Sequence, residues 1–257
     1  MLATVLAAVS LSAGFTGSLG GASLDIPVLS VVRSLGMPSL VQSTDDGQEW
    51  RWFNARGLDV DLLADDALTV HQILASRPEA VEGKPFPLVQ PAELPLLEAP
   101  LAEASKALTA AGGRLAESGG AAVALWRFAG AFVALQPARA HVAKILVLDE
   151  WAARRFGYFG SGVMLGAHRA PRLTHQPAVD YPHAAIASRA QGVVIVRVDV
   201  AASGAVKNAV VLLSSGNSDI DAAEMQSMRR SSFRPARCDG QPCDGVFLDR
   251  EEYTLGE

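Results

Sequence analysis

The sequence predicts an α+β protein, with two helix-plus-three-strand meander units followed by a C-terminal segment ordered helix, hairpin, helix, strand. Three observations carry that expectation. Apolar residues recur at helical spacing in Val28, Val31, Val32 and Leu35, and again in the stretch Leu101 to Leu108. Each stretch is followed by runs in which apolar and polar residues alternate, the period of a strand half buried on one face. Beyond Gln176 the alternation sharpens, with Val194, Val196, Val198 and Val200 on one side of a single run. The composition permits such a fold: 49% of 257 residues are hydrophobic and 19% charged, enough for buried cores and too apolar for a disordered chain. The length favours two or three compact units.

Residues 1–23 form an apolar leader. Met1 to Leu24 carries no charged side chain, and the run MLATVLAAVSLSAGF gives way to the small, flexible TGSLGGAS. That order is the pattern of a secretory signal peptide, with Ala22 as its last residue. An uncleaved inner-membrane anchor is the competing reading. Spanning needs about 20 predominantly apolar residues, and Gly14, Gly17, Gly20 and Gly21 shorten the usable run. Export to the periplasm is therefore expected, with inner-membrane association if the leader is retained.

The first unit spans residues 24–78. Its helix is stopped by Gly36-Met37-Pro38. Asp45-Asp46-Gly47 then turns the chain into Trp50-Arg51-Trp52, and two further alternating runs follow, Leu58 to Leu62 and Leu68 to Leu74. The second unit, residues 96–150, repeats this order as a degenerate duplication. Gly112-Gly113 stops its helix, Trp126-Arg127-Phe128 matches Trp50-Arg51-Trp52, and Val142 to Leu146 matches Val70 to Leu74. Between the units, residues 79–95 are a Pro-rich connector whose repeated prolines favour extended chain. Residues 151–175 read as a Gly-, Arg- and aromatic-rich linker. With its helix, Gly-Met-Pro stop and Gly47/Trp50 strand entry, each unit faintly resembles the small outer-membrane lipoprotein domains of the BamE (SmpA/OmlA) type. That resemblance implies only an envelope setting.

The two cysteines flank a turn in Cys238-Asp-Gly-Gln-Pro-Cys243. Asp-Gly between two extended runs reads as a hairpin connection, and cysteines across such a loop can reach disulfide distance. Two thiolates alone cannot complete a tetrahedral zinc site. A structural disulfide between Cys238 and Cys243 is the expectation, and it agrees with an oxidising compartment.

In the final segment, residues 176–257, Pro182 suits the first position of a short helix over Ala184 to Ala190. Gly192 ends it, and Val193 to Val200 and Val206 to Ser214 form a hairpin around Ala202-Ser203-Gly204-Ala205. Ser218 or Asp219 caps a helix facing inward with Ile220, Ala223 and Met228. Val246-Phe247-Leu248 to Tyr253-Thr254-Leu255 is the last strand, interrupted by the acidic Asp249-Arg250-Glu251-Glu252. The ordered series Tyr181-Pro182, Gly192, Gly204 with Val206, Ser214-Ser215-Gly216, Asp221-Ala222-Ala223 and Phe233-Arg234-Pro235-Ala236 resembles the C-terminal domain of the TonB family of periplasmic energy transducers. The resemblance implies a small antiparallel sheet with helices on one face that works by protein contact. In that family the last strand lends its edge to an extended peptide, the TonB box of an outer-membrane transporter. Main-chain hydrogen bonds to an added strand supply the binding. Here the implied contact residues are Val246, Phe247, Leu248 and Tyr253 on the strand, with Tyr181 and Pro182 nearby. The acidic cluster can equally be a device that protects this edge from pairing.

The implied function is that of a periplasmic protein-interaction module binding an outer-membrane receptor or assembly factor, in transport-related energy transduction. The alternative is a structural envelope-assembly or scaffolding protein that recognises its partner through the duplicated units. A net charge of −5, with Arg154-Arg155 and Arg229-Arg230 isolated, offers no basic patch for nucleic acid. No catalytic constellation assembles either. His71, His141, His168, His175 and His183 are scattered without metal-ligand spacing, and Gly160-Ser161-Gly162 lacks the strand-turn-helix setting of a nucleophile. An enzyme, a cofactor and a metal site are not expected.

Overall fold

A computed structural model of the chain describes residues 18–19, 22–55, 58–76, 96–97, 99–116, 124–156 and 167–255. Most of the expected leader and all of the Pro-rich connector lie outside these residues. The chain divides into two compact units, Met1–Ser39 with Trp50–Leu165, and Leu40–Glu49 with Gly166–Glu257. It is mixed α and β and mostly sheet.

In the first unit β1 (Ser18–Leu19) and β2 (Ala22–Ser23) pair ahead of α1 (Val28–Leu35). Val28, Val31 and Val32 of α1 are buried, and Gly36 ends the helix at φ 86°. The next strand, β3 (Leu40–Thr44), and the first three residues of β4 (Gly47–Ala55) belong to the second unit. From Trp50 onward β4 is in the first unit. β5 (Leu58–Ala64) and β6 (Val70–Ser76) follow, then α2 (Leu101–Ala110), β7 (Arg114–Ala116), β8 (Leu125–Arg127), β9 (Phe132–Ala138), β10 (His141–Leu148) and α3 (Glu150–Arg155). The sheet runs β4-β5-β6-β10-β9-β8-β7. Its centre is the antiparallel pair β6–β10, in register from Lys144↔Ser76 to Leu148↔Gln72. The segments read as separate units thus share one sheet. Trp50 and Trp52 are buried, and the Trp52 indole N–H donates to the Gly36 carbonyl at 2.9 Å, tying β4 to the end of α1.

Each helix is followed by four strands, not the three expected. The added strands are β3 and β7. Both lack clean alternation, and β7 is exposed at Arg114 and Leu115, so neither carries the periodic signal of a buried face.

The second unit contains β11 (His168–Arg169), β12 (Arg172–His175), α4 (His183–Ala187), β13 (Gly192–Val200), β14 (Val206–Leu213), α5 (Ser218–Arg230), β15 (Ser232–Arg234), β16 (Ala236–Cys238), β17 (Gln241–Cys243) and β18 (Gly245–Tyr253). The expected linker over residues 151–175 therefore contributes α3 to one unit and β11 and β12 to the other. The main sheet is antiparallel in the order β14-β13-β18. Val194, Val196, Val198 and Val200 pack with Ala185, Ala209, Ile220, Met228, Phe233 and Tyr253 into its core. Two boundaries differ from expectation. Pro182 sits at the N-cap of α4 with extended backbone, outside the first turn. Asn217, one residue before the expected cap, caps α5, its side-chain oxygen accepting from the amides of Asp219 and Ile220. Gly204 turns the β13–β14 hairpin at φ 85°, where a Cβ would lie 2.4 Å from the Phe233 carbonyl oxygen. Conformation and space both require glycine there.

Cys238 and Cys243 form the expected disulfide, with Cα atoms 5.9 Å apart. It closes the β16–β17 hairpin, whose turn residues Asp239 and Gly240 both have positive φ. That backbone is the one a two-residue hairpin prefers.

Candidate functional site

The last strand lies at one side of the main sheet of the second unit. β18 pairs with β13 over nine residues, from Gly192↔Tyr253 to Val200↔Gly245, without a bulge. The acidic cluster does not interrupt it. Its start is tightly fitted, since a Cβ on Gly245 would fall 2.6 Å from the Ala236 Cβ and 2.8 Å from the Pro171 Cγ. Alternation then sorts the side chains. Phe247 and Tyr253 pack against the core that faces α5, while Val246 and Leu248, also buried, point to the opposite face.

The structure brings only some of the expected contact residues together. The Tyr181 ring meets the Tyr253 ring edge-on, centroids 5.3 Å apart, and the Tyr181 hydroxyl donates to the Ala190 carbonyl. Pro182 follows at the start of α4. Val246, Phe247 and Leu248 lie at the other end of the strand, roughly 17–24 Å from Tyr253 at about 3.4 Å per residue. Phe247 is engaged with Phe233, centroids 5.1 Å apart. Val246 and Leu248 are buried.

The outward edge of β18 is touched by the hairpin of β3 and the start of β4. The Leu248 N–H donates to Ser43 Oγ at 2.9 Å, and Gln48 Nε2 donates to the Val246 carbonyl at 3.1 Å. Ser43 Oγ in turn donates to Gln48 Oε1 at 2.6 Å. Because Leu248 directs its N–H away from β13, the even-numbered residues of β18 turn their main-chain groups to the outer edge. The hairpin tip is held as well: Asp45 Oδ1 accepts from the Ala170 N–H at 3.1 Å, and Arg172 lies 4.0 Å from its carboxylate.

Beneath the strand is a group that the sequence reading did not identify. Glu224 of α5 is fully buried. Tyr253 Oη donates to its Oε2 at 2.8 Å, and Gln176 Nε2 to its Oε1 at 3.1 Å. Asp249 shares this pocket. Burial first, then the charges of Glu224 and Glu251, push its carboxyl up to about 7. Glu251 is raised by burial and by Glu224, with Arg250 acting the other way. Burial and the hydrogen bond to Glu224 also raise the Tyr253 hydroxyl. The signal was present in the spacing. Glu224 stands four residues after Ile220 and four before Met228, on the buried stripe of α5, and Asp249 alternates with Phe247 and Tyr253.

Among its described residues the first unit holds a titratable cluster around His71. His71 Nδ1 lies 2.5 Å from Asp149 Oδ2, and Nε2 lies 3.4 Å from Asp65 Oδ2. The ring stacks on Trp151. Burial lowers the His71 pKa, but Asp149 and Asp65 outweigh it and hold the imidazole above its usual value. Asp25, His71 and Asp149 offer ligand atoms within 4.8 Å of one another. Asp149 Oδ1 also caps α3 at the Ala152 amide. Asp149 and Asp65 thus approach the His71 ring from its two nitrogens and orient it.

No described helix is long and apolar enough to cross a membrane. The profile of the Gram-negative bacterial TonB protein C-terminal family matches residues 177–251. Protein tonB2 of Pseudomonas aeruginosa is 38% identical over 71 residues, which is 28% of this chain and 26% of that protein. The chain therefore spans about a quarter of the length of this curated relative. Among solved structures, an extracellular protein containing an SCP domain from Bacillus anthracis str. Ames aligns over 51% of this chain and 46% of its own, at 11% identity and a TM-score of 0.37. A cysteine-rich secretory protein from Staphylococcus aureus subsp. aureus Mu50 aligns over 52% and 48%, at 8% identity and a TM-score of 0.36. Likenesses that low carry no argument. The domain at residues 177–251 is a TonB C-terminal domain.

Proposed function

We propose, taking the TonB C-terminal domain at residues 177–251 as premise, that this chain is a periplasmic protein-interaction module in transport-related energy transduction. It would bind an outer-membrane partner by adding an extended segment to β18. The observation that carries the reading is an edge strand nine residues long, paired without a bulge on its inner side. An unbroken strand keeps its outward N–H and C=O groups evenly spaced, which is what an added strand reads. A charge placed on Val246 or Leu248 is a poor test, because both side chains are buried. Glu252 is exposed and directs its main-chain groups outward. Glu252→Pro removes one outward donor and leaves the inner ladder intact. A benzophenone photocrosslinker at Thr254, just past the strand, should capture outer-membrane proteins in cells. The adducts should disappear with Glu252→Pro, persist with Glu252→Ala, and be absent with the probe at Lys207 of β14. Equal adducts from Thr254 and Lys207, insensitive to Glu252→Pro, would refute strand addition.

A structural role in envelope assembly has one observation in its favour. Ser43 and Gln48 already engage main-chain groups at the start of β18. In that reading the edge is closed permanently and recognition falls to the sheet of the first unit.

A further inference from the structure

Two outward groups on β18, the Val246 carbonyl and the Leu248 N–H, are the acceptor and donor that flank Phe247. In a parallel pair, one residue of the added strand donates to the carbonyl of residue i−1 and accepts from the amide of residue i+1. Gln48 Nε2 and Ser43 Oγ make those two bonds with side chains, at 3.1 and 2.9 Å. They are also bonded to each other at 2.6 Å, and Gln48 is 1% exposed. The pair therefore imitates one residue of a parallel neighbour strand at the place where a real strand would register.

Resting on the strand-addition reading above, we propose that the β3–β4 hairpin is the resident occupant of the β18 edge, held by a Ser43–Gln48 clamp. An incoming extended peptide, parallel to β18, binds by displacing it. The clamp does not reach the far end of the strand, where Glu252 is exposed. A peptide engages there first and then exchanges with Gln48 and Ser43 toward Val246. The hairpin competes from within the same chain, so it acts at high effective concentration. Weakening it raises affinity for any strand that fits. The acidic residues Glu251 and Glu252 beside the entry point favour a peptide with basic ends.

The test uses the full chain and a fluorescein-labelled heptapeptide, Lys-Thr-Val-Thr-Val-Thr-Lys, whose β-branched residues favour extended backbone. The same peptide with alternate amides N-methylated is the control that cannot add as a strand. Ser43→Ala/Gln48→Met deletes both edge bonds while keeping most of the buried volume. Asp45→Ala loosens the hairpin tip without touching the edge and serves if the double variant does not fold. Binding should tighten about tenfold to thirtyfold in the double variant and severalfold in Asp45→Ala, with no gain for the N-methylated peptide. Exchange of the Leu248 amide should accelerate at least tenfold in the double variant. Equal binding of the unmethylated peptide to wild type and variants overturns the clamp while leaving strand addition in place. Accelerated Leu248 exchange with no peptide binding to any form overturns strand addition at β18, and gating with it.

Discussion

Replacing Asp249 with Asn should make the second unit more stable at neutral pH and leave it nearly unchanged at pH 4. The native carboxyl, buried beside Glu224 and Glu251, titrates at about 7 against an ordinary value of 3.8. Between those values the folded chain holds a proton that the unfolded chain has released. Stability therefore falls as pH rises through that window. A difference of about three units at 1.36 kcal/mol each sets a ceiling of about 4 kcal/mol above pH 7. Asparagine cannot ionise and keeps most of the shape. It does not relieve Glu224, so the net gain at pH 7.5 should be roughly 1–3 kcal/mol. The four tryptophans, Trp50, Trp52, Trp126 and Trp151, all lie in the first unit and would not report the change. Native-state hydrogen exchange of the β13 amides Val194 to Val198, corrected for intrinsic pH dependence, reads the second unit directly. Wild type should lose protection from pH 4 to 7.5 while Asp249→Asn holds it. A difference between the two proteins that is the same at both pH values would refute the buried-acid argument.

The disulfide, the His71 cluster and the α5 cap each carry a measurable share of stability. Cys238→Ser/Cys243→Ser opens a six-residue loop, and loop-closure entropy puts the loss at about 2 kcal/mol; thermal unfolding with and without reductant should show the wild type falling toward the variant. His71→Gln should cost roughly 1–2 kcal/mol at pH 5.5 and less at pH 8. The raised imidazole contributes fully below its unfolded value of 6.5 and loses that contribution as pH rises through its higher folded value. Urea titration followed by tryptophan fluorescence suits it, since Trp151 stacks on the ring. Asn217→Ala removes an oxygen that accepts from two helix amides and should cost about 1 kcal/mol, seen as faster exchange in the first turn of α5.

What could be read from sequence was whatever one element announces by itself. The β13–β14 hairpin declares itself through valines at every second position and a glycine that only a turn can hold. The disulfide is legible because its cysteines straddle a two-residue turn with positive φ. By contrast, Leu-Val-Gln-Ser-Thr of β3 has no period of its own. Its place is fixed by bonds to residues about two hundred positions away, Ser43 to Leu248 and Gln48 to Val246. Window-based reading cannot see such pairs. Glu224 was missed for the opposite reason: it sits on the apolar stripe but has the wrong chemistry for it. The partners that excuse it, buried Tyr253 and half-buried Gln176, belong to other segments.

Both surprises converge on β18, and this bears on how the strand works. An ordinary protected edge is short, bulged or studded with outward charge. β18 is long and unbulged, and its start, Gly245 to Leu248, carries no charged side chain. Without charge or a bulge to block it, the start of the edge is closed by two neutral side chains. Hydrogen bonds of that kind contribute about 1 kcal/mol each net of solvent, so they are strong enough to hold a hairpin in place and weak enough for an added strand to replace. A permanent closure would more simply extend the ladder itself, with β3 bonded to β18 main chain to main chain. Side chains doing a strand's task leave the outward backbone donors and acceptors of β18 open to exchange, the condition that strand addition needs.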